Sequence, residues 1–188
     1  MIDIFYIKEN DIPKLEANVS CIGFFDGVHL GHQELIKKTV QEANKLNVKP
    51  YLITFYPDPA DIISKTMVDH INSFERRIEL FESFGIKGVI VVEFSLEVMS
   101  KSKEDFLNHY LKNFNLKGLV CGFDFHYGYK GEGDYKSLKE GLKDICPVYE
   151  IKEVSLDGIK VSSTRVKEEI KRGDFLKVDK LLGYHYEH

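Results

Sequence analysis

The chain of 188 residues has no tryptophan, five prolines and three cysteines. Cys21, Cys121 and Cys146 are odd in number and far apart, which excludes a disulfide framework and a cysteine-built zinc site and suits a reducing compartment. Long apolar runs are missing as well. The richest, Val89 to Val92, falls far short of a membrane span, and the opening stretch Met1 to Asn10 carries acid where a signal peptide needs base. A cytoplasmic protein without a membrane partner is expected. Neither sign of charge dominates: 26 Lys and Arg against 30 Asp and Glu leave a net charge of −4, so no global field draws the chain to nucleic acid. Any polyanionic ligand is therefore small and held locally. Repeats, low-complexity tracts and linkers are also lacking, and residues 1–188 are read as a single domain.

What is present is an alternation of two hydrophobic periods. Short β-rich runs fall at Val19–Phe25, Tyr51–Phe55, Gly88–Phe94, Gly118–Cys121 and Val148–Ile151, and their near-continuous apolar character suits strands covered on both faces. Between them the spacing turns helical. Leu35, Ile36, Val40, Ala43 and Leu46 form one stripe; Phe74, Ile78, Phe81 and Phe84 form a second; Phe106, Leu107, Tyr110, Leu111 and Phe114 form a third. Strands alternating with helices predict an α/β fold, a doubly wound parallel five-stranded Rossmann-like sheet, whose ligands sit beyond the carboxyl ends of the strands. After the last strand, Ile151–Val161 reads as a short extended pair turning at Asp157-Gly158, and a helix begins near Ser162 with a Ser/Thr cap.

Chemistry concentrates in the strand-to-helix loops. Gly23 to Gln33 leaves a buried strand and enters an amphipathic helix, with glycines that let a ligand approach the backbone. His29 and His32 are three residues apart at the head of that helix, where free N–H groups and the helix dipole attract an anion. The pattern lacks the Gly-Lys-Ser/Thr ending of a Walker loop. A metal triad of Asp26, His29 and His32 has no fourth ligand in view, and a pair of surface histidines is the plainest alternative.

These residues carry a resemblance. Gly23 to Gln33 resembles the phosphate loop of the HxGH nucleotidylyltransferase superfamily, and the wording Phe25-Asp26-Gly27-Val28-His29-Leu30-Gly31-His32-Gln33 resembles the bacterial FAD synthetase module, FMN adenylyltransferase. Three further stretches agree in order. Thr54 to Pro59 resembles that family's TFxPHP loop, Gly122 to Gly128 its GxDFxFG loop, and Val161 to Lys167, with Leu181-Leu182-Gly183, its SSTxxR helix and closing LLG.

The resemblance implies transfer of AMP from ATP to FMN by direct in-line attack, with Mg²⁺ required and no covalent enzyme intermediate. It implies catalytic roles for His29, His32, Ser162, Ser163 and Thr164. ATP would meet Gly23, Phe24, Phe25, Asp26, Gly31, Asp124, Arg165 and Lys167, and the flavin would meet Pro57, Asp58, Pro59, Phe125 and Tyr127. No protein-built metal site is implied, and no riboflavin kinase domain is expected within these residues. Four positions depart from the family: Asp58 stands where a histidine is usual, Lys167 replaces an arginine, His126 occupies a position often basic, and Tyr184 replaces an arginine after LLG. A carboxylate at position 58 would need Mg²⁺ or Lys65 beside the phosphates. The departures keep two other functions in view: nucleotidyl transfer to another phosphorylated acceptor, and a flavin- or nucleotide-binding protein with little turnover.

Overall fold

The computed structural model describes residues 1–9, 11–64 and 68–187, so Lys65 lies outside the described residues. Strands β1 (Asp3–Ile7), β2 (Asn18–Ile22), β3 (Lys49–Tyr56), β4 (Gly88–Glu93), β5 (Leu116–Gly122) and β6 (Val148–Ile151) form one parallel sheet in the order β1-β4-β3-β2-β5-β6. Strands β7 (Ser155–Leu156) and β8 (Ile159–Lys160) form a separate antiparallel hairpin. The main helices are α1 (Leu30–Leu46), α2 (Pro59–Ser64), α3 (Phe74–Ser83), α4 (Leu96–Ser100), α5 (Lys103–His109), α6 (Tyr135–Gly141), α7 (Ser163–Arg172) and α8 (Phe175–Leu182).

The two faces of the sheet follow the pleat. Successive side chains of a strand point to opposite faces, so Val89 and Val91 of β4 join Leu35, Ile36 and Phe81 under α1 and α3, while Ile90 and Val92 join Phe106, Leu107 and Leu138 under α5 and α6. Both faces are covered, which is why the central strands read as unbroken apolar runs. A third cluster, Val161, Val166, Val178, Leu181 and Leu182 with Ile71, joins the two C-terminal helices to the segment before α3.

The sheet has six strands rather than the expected five. The extra one, β1, pairs with β4 at the edge; Ile4 and Tyr6 are exposed and only Ile7 is fully buried, so its sequence shows no continuous apolar run. The first expected strand also ends early, at Ile22, because Phe25 turns into the left-handed region at φ 57°. Leu46 closes its stripe exposed, and the Phe106 to Phe114 stripe is divided between α5 and a 3₁₀ turn at Leu111–Asn113, with all five members buried. The hairpin does turn at Asp157 (φ 55°) and Gly158 (φ 74°), and Ser162 caps α7.

This order puts the topological switch between β2 and β5. From β2 the chain builds outward through β3 and β4, then returns to the other side of β2 as β5 and β6. Loops leaving the carboxyl ends of β2 and β5 diverge there and open a crevice.

Candidate active site

The loop after β2 aims the head of α1 into that crevice. His29 is the N-cap of α1, and its Nδ1 accepts the His32 backbone N–H at 3.4 Å, so the neutral ring carries its proton on Nε2. The two imidazoles stack, with ring centroids 3.6 Å apart. Gly31 makes this possible, since a Cβ there would meet the His29 ring at 3.1 Å. Burial pushes His29 down to about 4, against the opposing pull of Asp26 and Asp124, and burial also holds His32 well below the ordinary histidine range. Both rings are therefore neutral donors at neutral pH rather than fixed cations. His32 Nδ1 is buried and has no hydrogen-bond partner among the described residues.

The opposite wall is the head of α7. Ser162 and Ser163 line a cavity of about 280 Å³ together with Gly23, Phe25, His29, His32, Asp124 and Lys160. Two helix N-termini and a histidine pair thus converge on one small space, an arrangement that suits phosphates. Ser162 Oγ accepts the Arg165 N–H, Ser163 Oγ donates to the Asp26 carbonyl, and Thr164 is exposed outside the cavity. The three hydroxyls therefore have three different settings. Lys160, which motif reading missed, reaches the cavity from β8; its Nζ lies 2.6 Å from Asp124 Oδ2 and 4.8 Å from the Phe123 ring centre. Only the fold could reveal that pairing, because Lys160 is on β8 and Asp124 on the loop after β5.

Several expected contacts have gone instead to the scaffold. Arg165 is buried and its Nη1 donates to the carbonyls of Leu156, Ile159 and Lys160, holding the β7–β8 hairpin against α7. The Asp26 carboxylate is committed elsewhere: Oδ2 pairs with Lys167 Nζ at 2.7 Å and Oδ1 accepts the Ile71 N–H. Lys167 lines neither cavity. Asp58 lies with Asp26 and Asp61 around His70, its Oδ2 3.8 Å from His70 Nδ1, while His70 Nε2 donates to Asp61 at 3.0 Å. An imidazole therefore does stand beside this loop, supplied by His70. Pro57 and Asp58 line neither cavity.

A second, larger cavity of about 700 Å³ opens between α2, α4 and the loop after β5. Its walls are Phe55, Pro59, Ile62, Phe94, Met99, Phe106, Tyr127 and Tyr129, a setting for a flat apolar ring system. Of the residues expected at a flavin, Pro59 and Tyr127 line this space, whereas Phe125, stacked on Tyr127, faces the small cavity. Phe24 and His126 line both cavities. The Phe24 carbonyl is fixed by the buried Arg77, whose Nη1 donates to it at 3.0 Å. No group of three or more His, Cys, Asp or Glu side chains among the described residues is arranged to hold a metal ion. Among those residues, no helix is long and apolar enough to cross a membrane.

Comparison with known proteins gives a consistent set of relatives. Residues 11–165 match the family model described as FAD synthetase. A bifunctional riboflavin kinase/FMN adenylyltransferase of Listeria monocytogenes is 33% identical over 178 residues, covering 94% of this chain and 55% of the relative. A protein named FAD synthetase, also from Listeria monocytogenes, is 31% identical over 175 residues, with 89% of this chain and 69% of the relative covered. The chain spans about half the length of the bifunctional relatives from Listeria monocytogenes and Bacillus subtilis. Among solved structures, one titled a macrolide-efflux protein from Streptococcus pneumoniae superposes with a TM-score of 0.87 at 29% identity, over 99% of this chain and 72% of that one.

Proposed function

The chain belongs to the FAD synthetase family, and on that premise we propose that it is an FMN adenylyltransferase, converting ATP and FMN to FAD and pyrophosphate. The observation that carries the reading is a pair of neighbouring cavities that share Phe24 and His126: a small one between two helix heads at the switch point, holding the histidine pair, and a large aromatic one. The first suits the ATP phosphates and the second the isoalloxazine ring. A phosphate oxygen of FMN then bonds to the α-phosphorus while the bond from that phosphorus to the bridging oxygen breaks, its electron pair leaving with pyrophosphate. Such a reaction needs alignment and charge neutralisation more than covalent help.

In this reading His29 Nε2–H and His32 donate to the phosphate oxygens as charge grows on them, helped by the free N–H groups of α1. Ser162, Ser163 and Lys160 face the same phosphates from α7 and β8. Thr164, Arg165, Lys167 and Asp26 serve by holding those elements in place. Gly23, Phe24, Phe25 and Gly31 supply close backbone approach, and Pro59 and Tyr127 the walls of the flavin site. Phe125 adds an apolar wall to the small cavity, and Pro57 and Asp58 act from behind, through the loop that carries them.

Mg²⁺ fits this donor set, because that ion is commonly held by one or two carboxylates plus substrate phosphates and keeps its remaining waters. Asp124, half-exposed in the small cavity, is the carboxylate that would hold it. When bound, the ion neutralises charge on the leaving pyrophosphate. The free, buried cysteines suit the cytoplasm as the place of reaction. Incubation of the protein with ATP, FMN and Mg²⁺, followed by chromatography of the flavins, should show FAD and an equal amount of pyrophosphate. Absence of both would refute the assignment.

A further inference from the structure

One polar side chain lines both cavities. Phe24 and His126 are the shared residues, and only His126 can hydrogen-bond. Its Nδ1 lies 3.1 Å from the Gly131 carbonyl and 3.2 Å from the Gly133 carbonyl. Both partners are acceptors, so Nδ1 carries a proton and the ring orientation is fixed. Nε2 is left without a hydrogen-bond partner among the described residues. The backbone behind the ring is fixed too: the Tyr127 N–H donates to the Gly133 carbonyl, and the Gly133 N–H to the Tyr127 carbonyl.

A molecule whose ring fills the large cavity and whose phosphate reaches the small one comes up against the residues that line both, Phe24 and His126. Resting on the adenylyltransferase reading, we infer that His126 is the positioning residue for the acceptor phosphate: Nε2–H of the imidazolium holds the FMN phosphate in line with the α-phosphorus of ATP. Since Nδ1 is already committed to two carbonyls, Nε2 donates only when the ring is doubly protonated, which matches a cation to a phosphate dianion. The ring thereby distinguishes a phosphorylated flavin from the same flavin without phosphate. It takes no proton from the substrate, because the attacking oxygen is already ionised.

Flavin fluorescence titrations test this, with FMN and riboflavin as the two probes and the wild-type protein, His126→Asn and His126→Gln as the three samples. An Asn amide can reproduce the Nδ1 donor to the carbonyls without reaching the acceptor phosphate, whereas a Gln amide can reach it. His126→Asn should lose on the order of ten- to a hundred-fold of FMN affinity, the range for a charge-assisted hydrogen bond, with riboflavin affinity and ATP affinity unchanged. His126→Gln should recover part of the preference for FMN over riboflavin. An unchanged FMN-to-riboflavin ratio in His126→Asn, in a protein that still makes FAD, would overturn the role of His126 alone. Equal affinity of the wild-type protein for the two flavins would also overturn it. A wild-type protein that binds neither flavin would sink the adenylyltransferase reading and this inference with it.

Discussion

His29 and His32 show how burial changes the job of a residue type. In water an imidazole is partly charged near neutrality; here burial favours the neutral form of both rings, and in the proposed reaction they act through N–H donation aimed by the stack. Replacing either with alanine should lower FAD formation by roughly 10²- to 10³-fold with the fold retained, the usual cost of removing a preorganised donor to developing charge. Steady-state rates beside circular dichroism spectra check both halves of that statement. The same burial makes stability depend on pH. A histidine whose native value lies near 4 and whose unfolded value is about 6.5 binds more protons when unfolded, so its contribution is fully present above about pH 6.5 and declines as pH falls toward 4. His29→Asn should therefore flatten the fall in Tm between pH 6.5 and 4 seen by calorimetry. A variant as acid-sensitive as the wild-type protein would show that His29 is not the group being protonated. The histidine pair was legible in the sequence from its spacing and flanking glycines. Lys160 was not, because its partner Asp124 lies on a loop 36 residues away.

Among the elements, the β7–β8 hairpin is the smallest and the most dependent on others. Two residues per strand cannot sustain a hairpin in water, and the pair is held instead by the Arg165 guanidinium on three of its carbonyls. Arg165→Lys keeps the charge but loses the planar Nη1 group that meets the three carbonyls, so it should raise hydrogen exchange across residues 152–161 and weaken ATP binding through Lys160, while riboflavin binding holds. Exchange mass spectrometry and paired titrations measure the two effects; equal losses for both ligands would mean that the hairpin does not serve the nucleotide alone. The turn itself was readable, since Asp-Gly between short extended runs is a strong hairpin signal. The tether was not. An arginine inside a hydroxyl-led helix suggests phosphate binding, and nothing local announces that its guanidinium is spent on a neighbouring backbone. Edge strand β1 was hidden for a different reason: with one side unpaired and its outer residues exposed, it lacks the continuous apolar run that marked the other strands.

Across the whole molecule, the parallel sheet and its switch point were legible because doubly covered strands leave an unmistakable composition, and the motif-bearing loops after β2 and β5 fell where such a sheet binds ligands. What the sequence left open was how distant segments brace each other. Tyr184, which stands where an arginine was expected, sets its phenol oxygen 2.6 Å from the Gly27 carbonyl and 2.9 Å from Asn72 Oδ1, two acceptors that share its one O–H, and Gln33 Nε2 donates to the carbonyls of Val28 and Leu182. Tyr184→Phe strands those partners without a donor and should cost about 1–3 kcal/mol of stability. It should weaken ATP binding more than riboflavin binding, as paired titrations with a denaturation curve would show; an unaltered melting point would mean that the phenol is dispensable. Gly27 itself has φ 83° and a Cβ there would strike Ile71 at 2.7 Å, so the loop has little room to adapt if its brace is lost. The tail that follows α8 is consequently a handle on the phosphate loop. A shift of Tyr184 is felt at once at the Gly27 carbonyl, so the residues after α8 help set, from behind, the stiffness of the loop that carries His29.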